Sequence, residues 1–360
     1  MPINQNYYAL ILAGGRGTRF WPRSRRSRAK QVLNFLGERS LIQQTIERLT
    51  PVIPPERVWI LTNSHLRDEI VQQLPEVPSE QILAEPAQRN TAPAIGLASH
   101  ILQSVDPDAV MGVFPSDHVI AKPDRYLQFL EHAFQSAAEE NIVVLGIQAR
   151  WAETGYGYIE FPEKTAAGSL SPIKIRRFRE KPDAETAAQF LKAGNFYWNA
   201  GMFFWKPSVL LKALREFLPK TATLLASLPP FAAQDFADTV GQVFPNCENV
   251  SIDYAVLEKA REVVGFATDD FGWNDVGSWN AVYELLPRDA DGNAVRSETL
   301  INASSGNYID AQGKLVALLG VKDLVVVDTP DALLIADRSR AQEVGDLVKK
   351  LEQQKRDDLL

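Results

Sequence analysis

Three separated islands of the chain carry residue types suited to phosphate chemistry. The first is Gly14-Gly15-Arg16-Gly17-Thr18-Arg19, where glycines after an apolar run let backbone N–H groups approach an anion closely. The spacing excludes a dinucleotide fingerprint, which needs glycine where Phe20 stands, and a P-loop, since no Gly-Lys-Ser/Thr follows. The loop opens a basic run of Arg16, Arg19, Arg23, Arg25, Arg26, Arg28 and Lys30, ahead of the first acidic residue, Glu38. Such a local excess calls for a local anion. Arg19 and Lys30 are assigned to phosphate; for Arg23, Arg25 and Arg28 a solvated basic loop is the alternative.

The second and third islands are acidic. Phe114-Pro115-Ser116-Asp117-His118 places a carboxylate at the end of an apolar run, and Trp273-Asn274-Asp275-Val276-Gly277 places another among Gly and Trp. Two aspartates from distant segments can hold Mg²⁺ on a polyphosphate, with substrate oxygens completing the shell. A capping Asp and a turn Asp are the plainer alternatives. Between them lie Glu85-Pro86-Ala87-Gln88-Arg89-Asn90-Thr91, Glu180-Lys181-Pro182 and Trp198-Asn199-Ala200-Gly201. Lys181 can also be read as a surface lysine, Asn199 as a turn residue and His118 as a satisfied core histidine.

These islands need a scaffold, and the composition supplies one. The chain has 360 residues, 45% hydrophobic and 23% charged, which is ordinary for a globular protein of about two domains. A net charge of −7 argues against a dedicated nucleic-acid partner. The single cysteine, Cys247, allows no intrachain disulfide, and no CxxC pair suggests zinc. No apolar run reaches the ~18–20 residues that span a bilayer, and no signal peptide is recognisable, so a cytoplasmic protein is expected, with no membrane partner.

Short apolar runs at 7–12, 58–61, 81–83, 110–114 and 142–147 alternate with helical patterns. Helices are predicted after caps at Ser40 and Ser64 and from Thr91 to about 102. Strands apolar on both faces and separated by helices predict an α/β fold, a Rossmann-like, mainly parallel mixed sheet flanked by helices, with ligands at the strands' carboxyl ends. Beyond about 155 the pattern is mixed, with strands at 156–161, 173–179 and 196–205 and helices at 183–193, 207–218 and 252–260. From 300 to 336 short β-rich pieces predict a small β-domain closed by a helix from about Ser339. The expected division is 1–288 and 289–360.

Taken in order, the islands resemble the sugar-1-phosphate nucleotidylyltransferases, through Leu10-Ile11-Leu12-Ala13-Gly14-Gly15-Arg16-Gly17-Thr18-Arg19 with Lys30. Phe20-Trp21-Pro22, Ala29-Lys30-Gln31, Arg89-Asn90-Thr91-Ala92-Pro93, Phe114 to His118, Glu180-Lys181-Pro182, Trp198 to Gly201, Ser251 to Ala255 and Trp273 to Trp279 narrow the likeness to the bacterial mannose-1-phosphate guanylyltransferase type. It runs from about Tyr8 to Arg338. Two departures stand out: Ala29 where the family usually has Pro, and Phe20 where it often has Leu.

The resemblance implies a nucleotide-diphospho-sugar transferase fold with a β-helix-like C-terminal domain. It implies the reaction of GTP with mannose 1-phosphate to give GDP-mannose and pyrophosphate, with Mg²⁺ held by Asp117 and Asp275. Arg19 and Lys30 would join these two aspartates as the catalytic set. Ala13, Gly14, Gly15, Gly17, Thr18, Glu85, Arg89, Asn90 and Ser116 would bind nucleotide; Tyr156, Gly157, Glu180, Lys181, Asn199 and Asp253 would bind the sugar phosphate. A homodimer is expected. The chain, ending at Leu360, would lack the extra domain that gives some relatives phosphomannose isomerase activity. The rival readings are an enzyme for another base or sugar, a silent regulatory subunit, which should have lost the loop or the carboxylates, and a plain nucleotide-binding module.

Overall fold

A computed structural model describes residues 5–360. Its centre is a ten-stranded sheet. Ile82–Glu85, Val58–Asn63, Tyr7–Leu12 and Val110–Pro115 lie side by side and parallel. Phe196–Trp205 follows, antiparallel to both its neighbours, Val110–Pro115 and Ile142–Gln148, and Val263–Ala267 then pairs parallel with Ile142–Gln148. The main strands are therefore parallel with one reversed strand among them. Their two faces carry separate cores, which is why they read as continuous apolar runs.

Three sequence expectations shift. Ser64 caps no helix: the Asn63 side chain accepts from the His65 N–H at 3.0 Å and holds a turn, so the helix begins later, at Arg67–Gln73. The run 173–179 is not one strand. The Ile175 N–H donates to Val263 and the Arg176 N–H to Glu160, so the chain changes partner strand midway. The stretch 252–260 forms a π-helical turn, Asp253–Leu257, in place of a regular helix.

The C-terminal region coils as a β-helix. Thr299–Asn302 stacks in parallel on Val316–Leu319, and Tyr308–Ala311 on Leu324–Asp328, each one turn of 17 residues apart. Inside, Asn307 Nδ2 donates to Asn293 Oδ1 at 2.9 Å, so successive turns are tied by buried amides. A third core joins this coil to the region around the glycine loop: Phe20, Phe35 and Trp279 pack with Tyr308, Val325 and Val344. The helix Val344–Gln353 lies against the Thr18–Phe20 turn, where a Cβ on Gly345 would stand 3.5 Å from Thr18 Oγ1.

Candidate active site

The glycine loop leaves the carboxyl end of the first strand and folds back on Lys30. Gly17 has φ +61°, and a Cβ there would lie 2.5 Å from Lys30 Cβ, so only glycine lets the two segments touch. Gln31 Nε2 donates to the carbonyls of Ala13 at 2.6 Å and Gly15 at 3.2 Å, which fixes the loop from beneath. Phe20 explains one family departure: its ring is buried 4.7 Å from Phe35 and 5.3 Å from Trp279, as a wall of the third core.

Lys30 connects the acidic islands. Its Nζ lies 2.9 Å from Asp117 Oδ2 and donates to the Asp275 carbonyl at 2.5 Å. Burial works to raise the Asp117 pKa, but the charge and hydrogen bond of Lys30, with smaller help from His118 and a backbone N–H, together outweigh it and hold the carboxyl below its ordinary range. Asp275 Oδ1 accepts from the Tyr156 hydroxyl at 2.7 Å, and burial together with that carboxylate keeps Tyr156 protonated. Val276 has φ +48°, costly for a β-branched residue. Its N–H is held by Asn274 Oδ1 at 2.7 Å and its side chain is buried, so the surroundings impose the turn that presents Asp275. Arg19 Nη1 donates to the Gly277 carbonyl at 3.0 Å. Arg19, Lys30, Asp117 and Asp275 thus line one cavity of about 290 Å³. His118 borders it as a neutral, satisfied side chain: its Nδ1 accepts from Trp273 Nε1 at 3.1 Å, and burial pushes its pKa down to about 4.

A neighbouring cavity of about 690 Å³ shares Gly17, Thr18 and Asp117 with this one. Gly14, Gly15, Glu85, Asn90 and Ser116 line it as expected. Two expected members do not. Arg89 turns its guanidinium onto the Pro245 carbonyl, with Nε at 2.8 Å, and braces the backbone there. Ala13 is buried beneath, its carbonyl taken by Gln31 and Thr62. Gln88, from the island Glu85 to Thr91, lines it as well, and so do Asn63 and Asn249, which the sequence reading did not mark. Asn63 closes the second strand, and the rule that ligands meet strand carboxyl ends could have found it; Asn249 has no local signal. Among the described residues no ion pair engages Glu85, and burial pushes its pKa up to about 7.

The remaining expected residues gather beside Tyr156. Glu180 is buried, with Oε1 2.9 Å from Lys181 Nζ. Burial alone would lower the Lys181 pKa, but the Glu180 carboxylate reverses this and raises it. Asn199 Nδ2 donates to Asp253 Oδ1 at 3.2 Å. Burial, then the Glu180 charge, pushes Asp253 up to about 7. Gly157 packs so closely that a Cβ would strike Glu180 Oε2. That oxygen is buried and, among the described residues, has no hydrogen-bond partner.

The basic run divides sharply. Arg16 pairs with Glu352 at 2.7 Å, Arg23 with buried Asp310 at 2.6 Å, Arg25 with Asp331 at 2.9 Å and Arg26 with Asp357 at 2.8 Å. Phosphate and a solvated loop are therefore both corrected for Arg23 and Arg25, which join the glycine-loop region to the C-terminal domain. Arg28 exchanges backbone hydrogen bonds with Arg25.

The site's chemistry fits a divalent ion. Two carboxylates, one held ionised, face the same cavity as the glycine loop, although no group of three or more His, Cys, Asp or Glu that could hold a metal by itself occurs among the described residues. Phosphate oxygens would have to complete the shell.

Comparison with known proteins identifies the family. The model of the nucleotidyl transferase family matches residues 8–292, and that of the MannoseP isomerase/GMP-like beta-helix domain matches 299–351. A mannose-1-phosphate guanylyltransferase of Escherichia coli is 38% identical over 353 residues, covering 96% of this chain and 74% of that protein. One of Klebsiella pneumoniae is 38% identical over 355 residues, covering 97% and 74%. A crystal structure described as a mannose-1-phosphate geranyltransferase from Thermus thermophilus superposes with a TM-score of 0.84 at 32% identity, covering 97% of this chain and all of that one.

Proposed function

The chain belongs to the nucleotidyl transferase family and, within it, to the mannose-1-phosphate guanylyltransferases, and from that premise we infer its reaction. It transfers GMP from GTP to mannose 1-phosphate, giving GDP-mannose and pyrophosphate. A phosphate oxygen of mannose 1-phosphate attacks the α-phosphorus of GTP in line; the bond to the bridging β-phosphate oxygen breaks and pyrophosphate leaves. The attacking oxygen is already an anion, so no side-chain base is needed, and rate comes from positioning and charge neutralisation.

In this reading the Gly14–Thr18 backbone wraps the triphosphate, and Arg19 and Lys30 offset its charge. Glu85 and Asn90 lie at the base, with Ser116 nearby. Lys181 grips the sugar phosphate, while Glu180, Asn199 and Asp253 take sugar hydroxyls beside Tyr156 and Gly157. Asp117 and Asp275 would hold Mg²⁺, which would supply charge stabilisation on the transferring phosphate. The observation that carries the reading is Lys30, whose ammonium ties Asp117 to the Asp275 backbone at the mouth of the glycine loop.

Among the described residues no helix is long and apolar enough to cross a membrane. The lone, buried Cys247 supports a cytoplasmic setting. Exposed Leu300, Leu319, Leu333 and Ile335 on the β-helix support a homodimer through that domain. Pyrophosphate release across four nucleoside triphosphates and several sugar 1-phosphates tests the assignment. The highest kcat/KM is expected for GTP with mannose 1-phosphate; a tenfold preference for another nucleotide would overturn it.

A further inference from the structure

Behind the sugar-phosphate segment lies a second concavity that the reaction does not use. An open groove of about 710 Å³ runs between the edge strands Ile173–Lys174 and Arg177–Arg179, the helix Ala184–Ala193 and residues 257–261. Six cations line it, Lys174, Arg176, Arg177, Arg179, Lys259 and Arg261, in a chain whose net charge is −7. Four are partly neutralised at the rim: Lys174 by Glu262 at 2.7 Å, Arg176 by Glu163 at 3.5 Å, Arg177 by Glu160 at 2.8 Å and Arg179 by Glu258 at 3.9 Å. No ion pair or hydrogen bond engages the side chains of Lys259 and Arg261 among the described residues. Arg177 is pre-set, its guanidinium 5.4 Å from the centroids of both Phe190 and Phe196.

The groove has a direct link to the sugar-phosphate segment. Glu258 Oε1 accepts from the Glu180 N–H at 2.8 Å and is also the oxygen facing Arg179. Glu258 closes the π-helical turn that carries Asp253. An anion that draws Arg179 away from Glu258 therefore changes the partner of the backbone that holds Glu180 and Lys181.

We propose that this groove is a second binding site, for a small anion carrying two or more linked phosphates, and that its occupancy changes the grip on mannose 1-phosphate. The volume is that of a small-ligand site. The charge is gathered in one hollow and does not extend as the stripe a nucleic acid would need. The second half rests on the reading of Lys181 as the sugar-phosphate contact; the first does not.

The test is calorimetry of the full chain with inorganic tripolyphosphate. Wild type should bind an equivalent that K259E/R261E, altered at two exposed positions, binds about tenfold more weakly or not at all, as expected when two solvent-exposed charge contacts are lost. Identical isotherms would overturn the site. Repeating the titration with GDP-mannose separates recognition of phosphate alone, seen as weaker binding, from recognition of a whole nucleotide, seen as tighter binding. At saturating GTP and Mg²⁺, tripolyphosphate should shift the KM for mannose 1-phosphate in wild type and leave the double variant unmoved. An equal KM response in both proteins would overturn the coupling. A chain with no turnover of mannose 1-phosphate would sink the functional reading, while the calorimetric count still decides the groove.

Discussion

Lys30 Nζ sits 2.9 Å from Asp117 Oδ2 while donating to the backbone carbonyl of Asp275, so one cation positions both acidic islands. If both aspartates serve one ion, Asp117→Asn and Asp275→Asn should each lower kcat by roughly 100-fold or more, with circular dichroism unchanged. The double variant should lose less than the product of the single losses. Tyr156→Phe removes the 2.7 Å hydrogen bond to Asp275 and should raise the Mg²⁺ concentration needed for half-maximal rate by about tenfold, leaving the KM for GTP nearly constant. EDTA should abolish turnover and Mg²⁺ restore it. Near-normal turnover of Asp275→Asn with a lowered Tm would make Asp275 a turn residue.

Lys181→Ala should raise the KM for mannose 1-phosphate far more than that for GTP. Its ammonium pairs with Glu180 and stands apart from the glycine loop. One lost charge-assisted contact corresponds to roughly 1.5–3 kcal/mol. Steady-state kinetics with each substrate varied in turn is the check; equal effects on both substrates would move Lys181 to the triphosphate or to a structural role.

If Glu85 meets the base as proposed, that contact should depend on pH. Burial raises its pKa to about 7, so it is largely protonated at pH 6 and ionised at pH 8. A carboxylate facing a base edge rich in N–H donors binds best when ionised, so the KM for GTP should rise as pH falls through about 7. Stability runs the other way. A folded-state pKa above the unfolded value contributes stability that is present below the unfolded value and lost as pH rises through about 7. Glu85→Gln should therefore flatten the KM profile and raise Tm at pH 8 relative to wild type, with little change at pH 4. A pH profile unchanged by the substitution would remove Glu85 from the base pocket.

Arg23 and buried Asp310 are joined at 2.6 Å across the domain junction. Arg23→Ala takes the nearer cation from a buried carboxylate, leaving it Arg296 at 3.9 Å and the Tyr308 hydroxyl, and should cost about 3 kcal/mol by denaturant unfolding. Truncation near Arg288 should be worse, since it uncovers Trp279 and Tyr283, and the product should be insoluble or inactive. In the intact chain, Leu319→Glu should shift light scattering from dimer to monomer. A truncated chain that stayed soluble, active and of the same oligomeric state would refute both the clamp and the dimer surface.

Much of this protein is legible in one dimension. The apolar runs that became the central parallel strands are buried on both faces, so they stand out without context. The glycine loop, Asp117 and Asp275 each lie in motifs whose order along the chain pointed to the family. Gly17 is legible for a local reason, a left-handed backbone with no room for a Cβ. What the sequence left open depended on partners far away in the chain. Arg23 and Arg25 look like phosphate ligands until the β-helix brings Asp310 and Asp331 to them. Arg89 looks like a base contact until the Pro245 carbonyl takes it. The segment 173–179 alternates like one strand, but it lies where two other strands compete for its backbone. Charge and hydrogen-bonding capacity are written in residue types, whereas which partner satisfies them is settled by distances between segments that only the folded chain brings together.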